Sequence, residues 1–208
     1  MFEFALEIYS KSKLTVVALN SYDYKSFETQ NLPKDVRLLE VARETNGALA
    51  TAGLCLDLLD DDLPIVLSAI DGLCPTKIES FVQTMNKEDS DGGVIVFKSN
   101  NANYSYVSVF EGKPVELAEK RRISHLATAG IFYFRNKTLL LNSINWTILN
   151  KVDFNGKFYL SAALNKLIFE NMKVSLFEVN DSDYYRFSTN SEAIESLTRM
   201  NGASIESA

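Results

Sequence analysis

The chain has 208 residues, 46% of them apolar, enough to bury roughly 70% of the unfolded surface around one core, so residues 1–208 are expected to form a single domain. A formal net charge of -6 excludes a nucleic-acid surface or an anionic-membrane surface, either of which needs a broad basic face. Two cysteines, Cys55 and Cys74, fit no metal spacing or disulfide framework, and with no leader pattern and no apolar run near ~18 residues the expectation is a soluble, cytoplasmic protein with reduced thiols.

Phe2, Ala5, Leu6, Ile8 and Tyr9 keep helical spacing and predict an amphipathic helix at the start. Leu14 to Leu19 predicts a strand, SYDYKSFETQ a helix capped by Ser21 or Asp23 and ended by Asn31-Leu32-Pro33, and Val36 to Val41 another strand. Asn46 to Leu59 is rich in small residues early and leucine late, which suits a helix whose first turn approaches something closely. Cys55, within it, is assigned to core packing. Asp57, Asp60, Asp61 and Asp62 close this element as a solvated end in preference to a tandem-acid metal site, since carboxylates at a helix C-terminus oppose its dipole and need water. Pro64 to Ala69 reads as a buried strand leading to Asp71-Gly72, and Thr76 as the cap of a helix running to about Met85.

Gly92 to Phe134 reads as four short strands separated by turns. Val94 to Phe97 is a continuous apolar run suited to a buried strand, while Tyr104, Tyr106, Ser108 and Phe110 alternate with Ser105, Val107 and Val109. The only dense positive cluster, Glu119-Lys120-Arg121-Arg122, precedes the last of these strands, at a strand end where open α/β sheets keep their ligands. A compact positive spot on an acidic protein matches a small phosphorylated ligand. His125, the one histidine, has no Ser or Cys motif beside it and is read as structural. A helix to about Asn150 with Trp146 as its core anchor follows, then a loop at Asp153 to Gly156. Phe158 to Asn171 is a helix with Leu160, Leu164, Leu167 and Ile168 on one face; Lys173 to Val179 is a strand, Asn180 to Thr189 loop or edge strand, and Ser191 to Met200 a last helix. The alternation indicates an α/β domain with a mostly parallel first half.

Four stretches occur in a fixed order: TNGALAT at Thr45 to Thr51, PIVLSAIDG at Pro64 to Gly72, EKRRISHLATAGIFYF at Glu119 to Phe134, and NGKFYLSAALNKLI at Asn155 to Ile168. Together they resemble the sugar-phosphate nucleotidyltransferase family, whose pattern runs TxGAxxT, a strand ending in Asp, EKxxIS with ATxGIYYF, and NGEFYxxPxYNxLI. Each match is weak alone, and four in order are far more specific. The resemblance implies a nucleotide-diphospho-sugar transferase-like (GT-A-like) fold, a mixed α/β sheet flanked by helices. The reaction it implies joins a nucleoside triphosphate to a sugar phosphate, giving a nucleotide sugar and pyrophosphate, in surface-polysaccharide or related nucleotide-sugar metabolism. Such chemistry brings two anions into line and needs amides and a lysine around the triphosphate, a magnesium ion on carboxylates, and a basic group on the acceptor phosphate.

Carried over by motif, Asp71 is the metal-binding and catalytic aspartate and would hold Mg2+; the alternative is a turn residue. Lys120 is the catalytic group on the acceptor phosphate, Glu119 binds the sugar hydroxyls, and Thr128 and Gly130 complete the sugar side. Gly47, Ala48 and Thr51 line the nucleotide, close helix packing being the other explanation for the small residues. Arg121 and Arg122 fall at variable positions and read as surface charge.

The departures matter as much. The family's first strand and glycine-rich triphosphate loop have no counterpart in this sequence, whose first helix matches the one after that loop. Arg186 stands where a second metal-binding aspartate belongs, with Asp181 and Asp183 the nearby acids, and Lys157 replaces a glutamate. The resemblance therefore implies a nucleotidyltransferase-like protein that is impaired or incomplete as a lone chain. The alternatives are a non-catalytic sugar-phosphate-binding or regulatory homologue, or a glycosyltransferase-like binder of a nucleotide sugar. The absent strand would lie inside the sheet, so either its neighbours close up or another chain, a second copy included, supplies a strand.

Overall fold

In the computed structural model, which describes residues 8–9, 11–27, 32–69 and 71–206 with side chains to 200, the first strand, β1 (Thr15–Asn20), pairs in parallel with β2 (Val36–Val41). Between them lies α1 (Ser21–Phe27). Its cap is Asn20 and neither Ser21 nor Asp23: the Asn20 side-chain oxygen accepts from the Asp23 backbone N–H at 2.9 Å, and its amide donates to the Asp23 carboxylate at 2.7 Å. That oxygen satisfies one of the orphan N–H groups of the first turn. Most of the expected opening helix, Phe2 to Tyr9, lies outside the described residues.

The remaining elements are α2 (Ala48–Leu54), β3 (Ile65–Ser68), β4 (Gly72–Leu73), α3 (Ile78–Lys87), β5 (Gly92–Lys98), β6 (Tyr106–Phe110), β7 (Lys113–Ala118), β8 (Leu126–Phe134), α4 (Lys137–Leu149), α5 (Leu160–Phe169), β9 (Val174–Glu178), β10 (Tyr185–Arg186) and α6 (Asn190–Glu206). The four strands expected between Gly92 and Phe134 are β5 to β8. The helix expected over Asn46 to Leu59 is shorter, α2 giving way to a 3-10 turn at Leu56–Leu58. Lys77, and not Thr76, precedes α3, without a side-chain cap bond.

The main sheet runs β7-β6-β8-β5-β9, with β3 also pairing along the second half of β8. Only β5 with β9 is parallel within it, so the expected mostly parallel first half reduces to β1 with β2. Among the described residues the β1–β2 pair shares no ladder with the six-stranded sheet, and β4 and β10 form a third, two-stranded antiparallel piece.

A bulge in β8 shapes the rest. Val94 pairs with Phe132 but Val96 with Thr128, so two steps along β5 match four along β8. Gly130 sits in this bulge with φ +73°, a left-handed backbone that a side chain would strain. There β8 also changes its other neighbour, from Tyr106 of β6 opposite Ala127 to Ser68 of β3 opposite Ile131.

Alternation along β5 divides the core. Val94 and Val96 join Phe132, Phe134, Leu140, Ile144, Leu160, Leu164 and Leu167 under α4 and α5. Ile95 and Phe97 join Phe81, Met85, Ile131 and Tyr133 under α3. Both faces are covered, which is why this strand reads as an unbroken apolar run. Trp146 is not the anchor of α4: it is half-buried and stacks on exposed Phe169 with ring centroids 6.1 Å apart, while Leu140 and Ile144 fill the core. Cys74 is the fully buried thiol and Cys55 only partly buried. In β6 both Tyr106 and Val107 are buried, whereas Val109 and Phe110 near the hairpin tip are 38% and 67% exposed, so burial there follows distance from the core and not alternation. The outer edge of β7 is closed by a side chain of α5. Asn165 accepts from the Leu117 N–H and donates to the Leu117 carbonyl, both at 2.8 Å, as one rung of a neighbouring strand would.

Candidate functional site

Glu119 follows the last residue of β7, and its position is fixed from two elements. Its Oε2 accepts from the Ser105 hydroxyl, just before β6, and from the Ser161 hydroxyl in the first turn of α5 at 2.9 Å. Lys120 next to it is exposed, holds a left-handed backbone with φ +46°, and places Nζ 5.5 Å from the centre of the Tyr159 ring, within cation–π range. Glu119, Tyr159 and Ser161 line a cavity of about 250 Å³ together with Arg121, Asp153 and Asn165. Arg121 pairs with Glu116 at the surface, as expected of it. Exposed His125 contributes its backbone carbonyl, which accepts from the Ser99 N–H.

The β8 bulge lies against this group. The Thr128 N–H donates to the Ser105 carbonyl at 2.8 Å, and the Ala69 N–H to the Gly130 carbonyl at 3.1 Å. Ser105 thus connects Glu119 to Thr128, and Gly130 connects β8 to the end of β3, two residues before Asp71. Sequence reasoning passed over Ser105 and Ser161, whose only signal is a small hydroxyl beside apolar strand or helix residues.

On the other side of Ser105, Tyr104 carries the Arg186 guanidinium over its ring at 4.6 Å. Arg186 Nε donates to the Ser188 hydroxyl at 3.1 Å, its Nη1 pairs with Glu192 at 3.1 Å, and Ser188 donates in turn to the Asp71 carboxylate at 2.8 Å. The backbone reinforces the arrangement: β10 sets Arg186 opposite Gly72 of β4, and the Phe187 N–H donates to the Asp71 carbonyl at 2.9 Å. Burial pushes the Tyr184 phenol well up, with Tyr104 and Asp71 adding and Arg186 opposing. Burial likewise raises Tyr104, again against Arg186.

Magnesium demands near-octahedral oxygen ligands, usually carboxylates and waters. Among the described residues no three His, Cys, Asp or Glu side chains are grouped to hold a metal ion. Asp183 is committed elsewhere, to Lys77 at 3.5 Å and to the Asn180 N–H at 3.3 Å. With a guanidinium one hydroxyl away from Asp71, these residues do not fit a magnesium site.

The expected nucleotide residues gather at the start of α2. Gly47 has φ +104°, and a Cβ there would come within 2.4 Å of the Phe158 carbonyl oxygen. The Phe158 N–H donates to the Asn46 carbonyl at 2.6 Å, and the Leu49 N–H to the Phe158 carbonyl at 3.1 Å. The close approach that requires glycine is thus to this chain's own backbone. Thr51 shares a hydroxyl contact of 2.6 Å with Thr45, and Ala48 is exposed. Lys157 pairs with Glu44 at 3.1 Å.

No family model matches the sequence, and no curated protein matches it. Solved structures do. A nucleoside-diphosphate-sugar pyrophosphorylase from Vibrio cholerae RC9 superposes with a TM-score of 0.80 at 22% identity, over 93% of this chain and 84% of that one. A UDP-glucose pyrophosphorylase complexed with UDP-glucose gives 0.76 at 13% identity over 97% and 86%. The inositol-1-phosphate CTP transferase from T. maritima gives 0.72 at 14% identity over 95% and 81%.

Proposed function

For a chain with the sugar-phosphate nucleotidyltransferase fold, we propose a protein that binds a sugar phosphate or nucleotide sugar at Glu119 and Lys120 and is incomplete as a catalyst on its own. The observation that carries this reading is the double anchoring of Glu119 by Ser105 and Ser161. Both bonds fall on Oε2, which leaves Oε1 to accept from a sugar hydroxyl without reorganisation. Lys120 offers a mobile point charge for the phosphate. Thr128 and Gly130 would complete the sugar side through the bulge, which the Thr128 N–H ties to the Ser105 carbonyl.

The nucleotide half is the weaker one. From Thr45 to Ser68 the sequence has no Lys or Arg, and Lys157, which precedes the Phe158 packed against the start of α2, is paired with Glu44, so a triphosphate there would find little free positive charge. Ala48 and Thr51 remain the residues for a base or ribose. A second reading, a non-catalytic sugar-phosphate-binding or regulatory homologue, is favoured by the engagement of Asp71 through Ser188 and Arg186. In either reading the chain acts as one domain in cytoplasmic nucleotide-sugar metabolism of the kind that feeds polysaccharide synthesis. No helix among the described residues is long and apolar enough to cross a membrane. The separation of β1–β2 from β3 supports a strand supplied from elsewhere, a second copy of the chain included, as what completes the sheet.

The test is pyrophosphate release from the four common nucleoside triphosphates with hexose 1-phosphates and magnesium. The lone chain is expected to show none above background. Turnover dependent on both Asp71 and Lys120 would establish a complete enzyme instead.

A further inference from the structure

Asp71 and Glu192 are two carboxylates with one cation between them. Arg186 pairs directly with Glu192 at 3.1 Å and reaches Asp71 through the Ser188 hydroxyl, with contacts of 3.1 and 2.8 Å. The guanidinium is held in place by the Tyr104 ring at 4.6 Å and by the pairing of β10 with β4. It is four-fifths covered, with a side-chain exposure of 19%, and it cannot lose its proton. Ser188 takes only the Oδ2 oxygen of Asp71, and a divalent ion on the other oxygen would still sit beside this fixed positive charge. We infer that Arg186 is a built-in cation that takes the place of a divalent metal at Asp71, so that a phosphorylated ligand held at Glu119 and Lys120 is bound without magnesium. The second half of that statement rests on the sugar-phosphate reading; the first does not.

Manganese, a paramagnetic stand-in for magnesium, is the probe, titrated into the full chain and followed by water-proton relaxation. Wild type and Asp71→Asn should titrate alike, since any manganese they take up lies elsewhere on an acidic surface. Arg186→Asp should gain a site at least about tenfold tighter than anything in the wild type, and adding Asp71→Asn should remove it. A wild-type site lost in Asp71→Asn overturns the inference, as does a folded Arg186→Asp variant with no gain. Should Arg186→Asp fail to fold, Arg186→Gln removes the charge with less disturbance; a smaller gain is expected there, and none overturns the inference. For the ligand, glucose 1-phosphate should bind with affinities that agree within about twofold in chelator and in magnesium, and a magnesium requirement overturns the second half. Absence of glucose 1-phosphate binding counts against the sugar-phosphate reading alone, while the manganese titrations still decide the role of Arg186.

Discussion

Glu119 and Asp71 are both carboxylates close to strand ends, yet their hydrogen-bond partners differ. Glu119 accepts two hydroxyl bonds on one oxygen, an arrangement that orients an acceptor without neutralising it. Glu119→Gln should therefore weaken hexose 1-phosphate binding by about tenfold to a hundredfold, the scale of a bond to a charged group, and leave the melting temperature near wild type. The thiols separate in a similar way. Burial, then Asp183, pushes the Cys74 thiol from 9.0 up to about 12, with Lys77 opposing, and burial also raises the Cys55 thiol. A raised acid is neutral in the fold while the unfolded chain ionises, so the contribution is full below pH 9, falls as pH rises, and is gone near pH 12. The urea midpoint should decline over that window, less steeply in Cys74→Ala, and a thiol reagent should label native Cys55 well before Cys74. Arg186 was legible in the sequence as a departure from a family pattern. Ser188 was not, because its bond to Asp71 spans 117 positions and no local pattern encodes a contact at that separation.

Element scale explains which structural expectations held. The strands of Gly92 to Phe134 were readable because their burial is set by the sheet itself, as in β5 with apolar residues on both faces. Caps were harder. Asn20, Ser21 and Asp23 all have capping side chains, and which one serves depends on where the backbone of β1 turns, a matter of tertiary pairing. Trp146 misled for a related reason: size predicts burial only if the helix face points inward, and the inward face of α4 carries Leu140, Ser143, Ile144 and Thr147. Two side-chain devices at this scale can be measured. Asn165→Ala should cost about 1–3 kcal/mol in urea unfolding, since it unpairs the Leu117 N–H and carbonyl at the β7 edge. Gly47→Ala combines a left-handed backbone with a contact of 2.4 Å to Phe158 and should cost at least about 1–3 kcal/mol; the same change at Gly112, which has nothing within 4 Å, carries only the backbone strain.

At the scale of the whole molecule, the division of the sheet is the feature with most consequence. β1 and β2 pair with each other and not with β3, so their amides should exchange with solvent faster than those of β5 and β8, by native-state hydrogen exchange. Protection equal to that of β5 would mean the two sheets open as one unit. The fold was legible from four ordered stretches because each marks a turn or strand end that the topology brings together: Glu119 after β7, Gly130 in β8, Asp71 beside β4 and Gly47 against Phe158. What the pattern could not convey is how these carboxylates are bonded, Glu119 accepting from two hydroxyls and Asp71 from Ser188.

The account is tested most directly by one calorimetric comparison on the full chain, glucose 1-phosphate or another hexose 1-phosphate without metal against magnesium–UTP or magnesium–CTP. It predicts saturable binding of a sugar phosphate that Glu119→Gln weakens, and no saturable heat from either triphosphate. Tight binding of a magnesium triphosphate with no response to any sugar phosphate would contradict it.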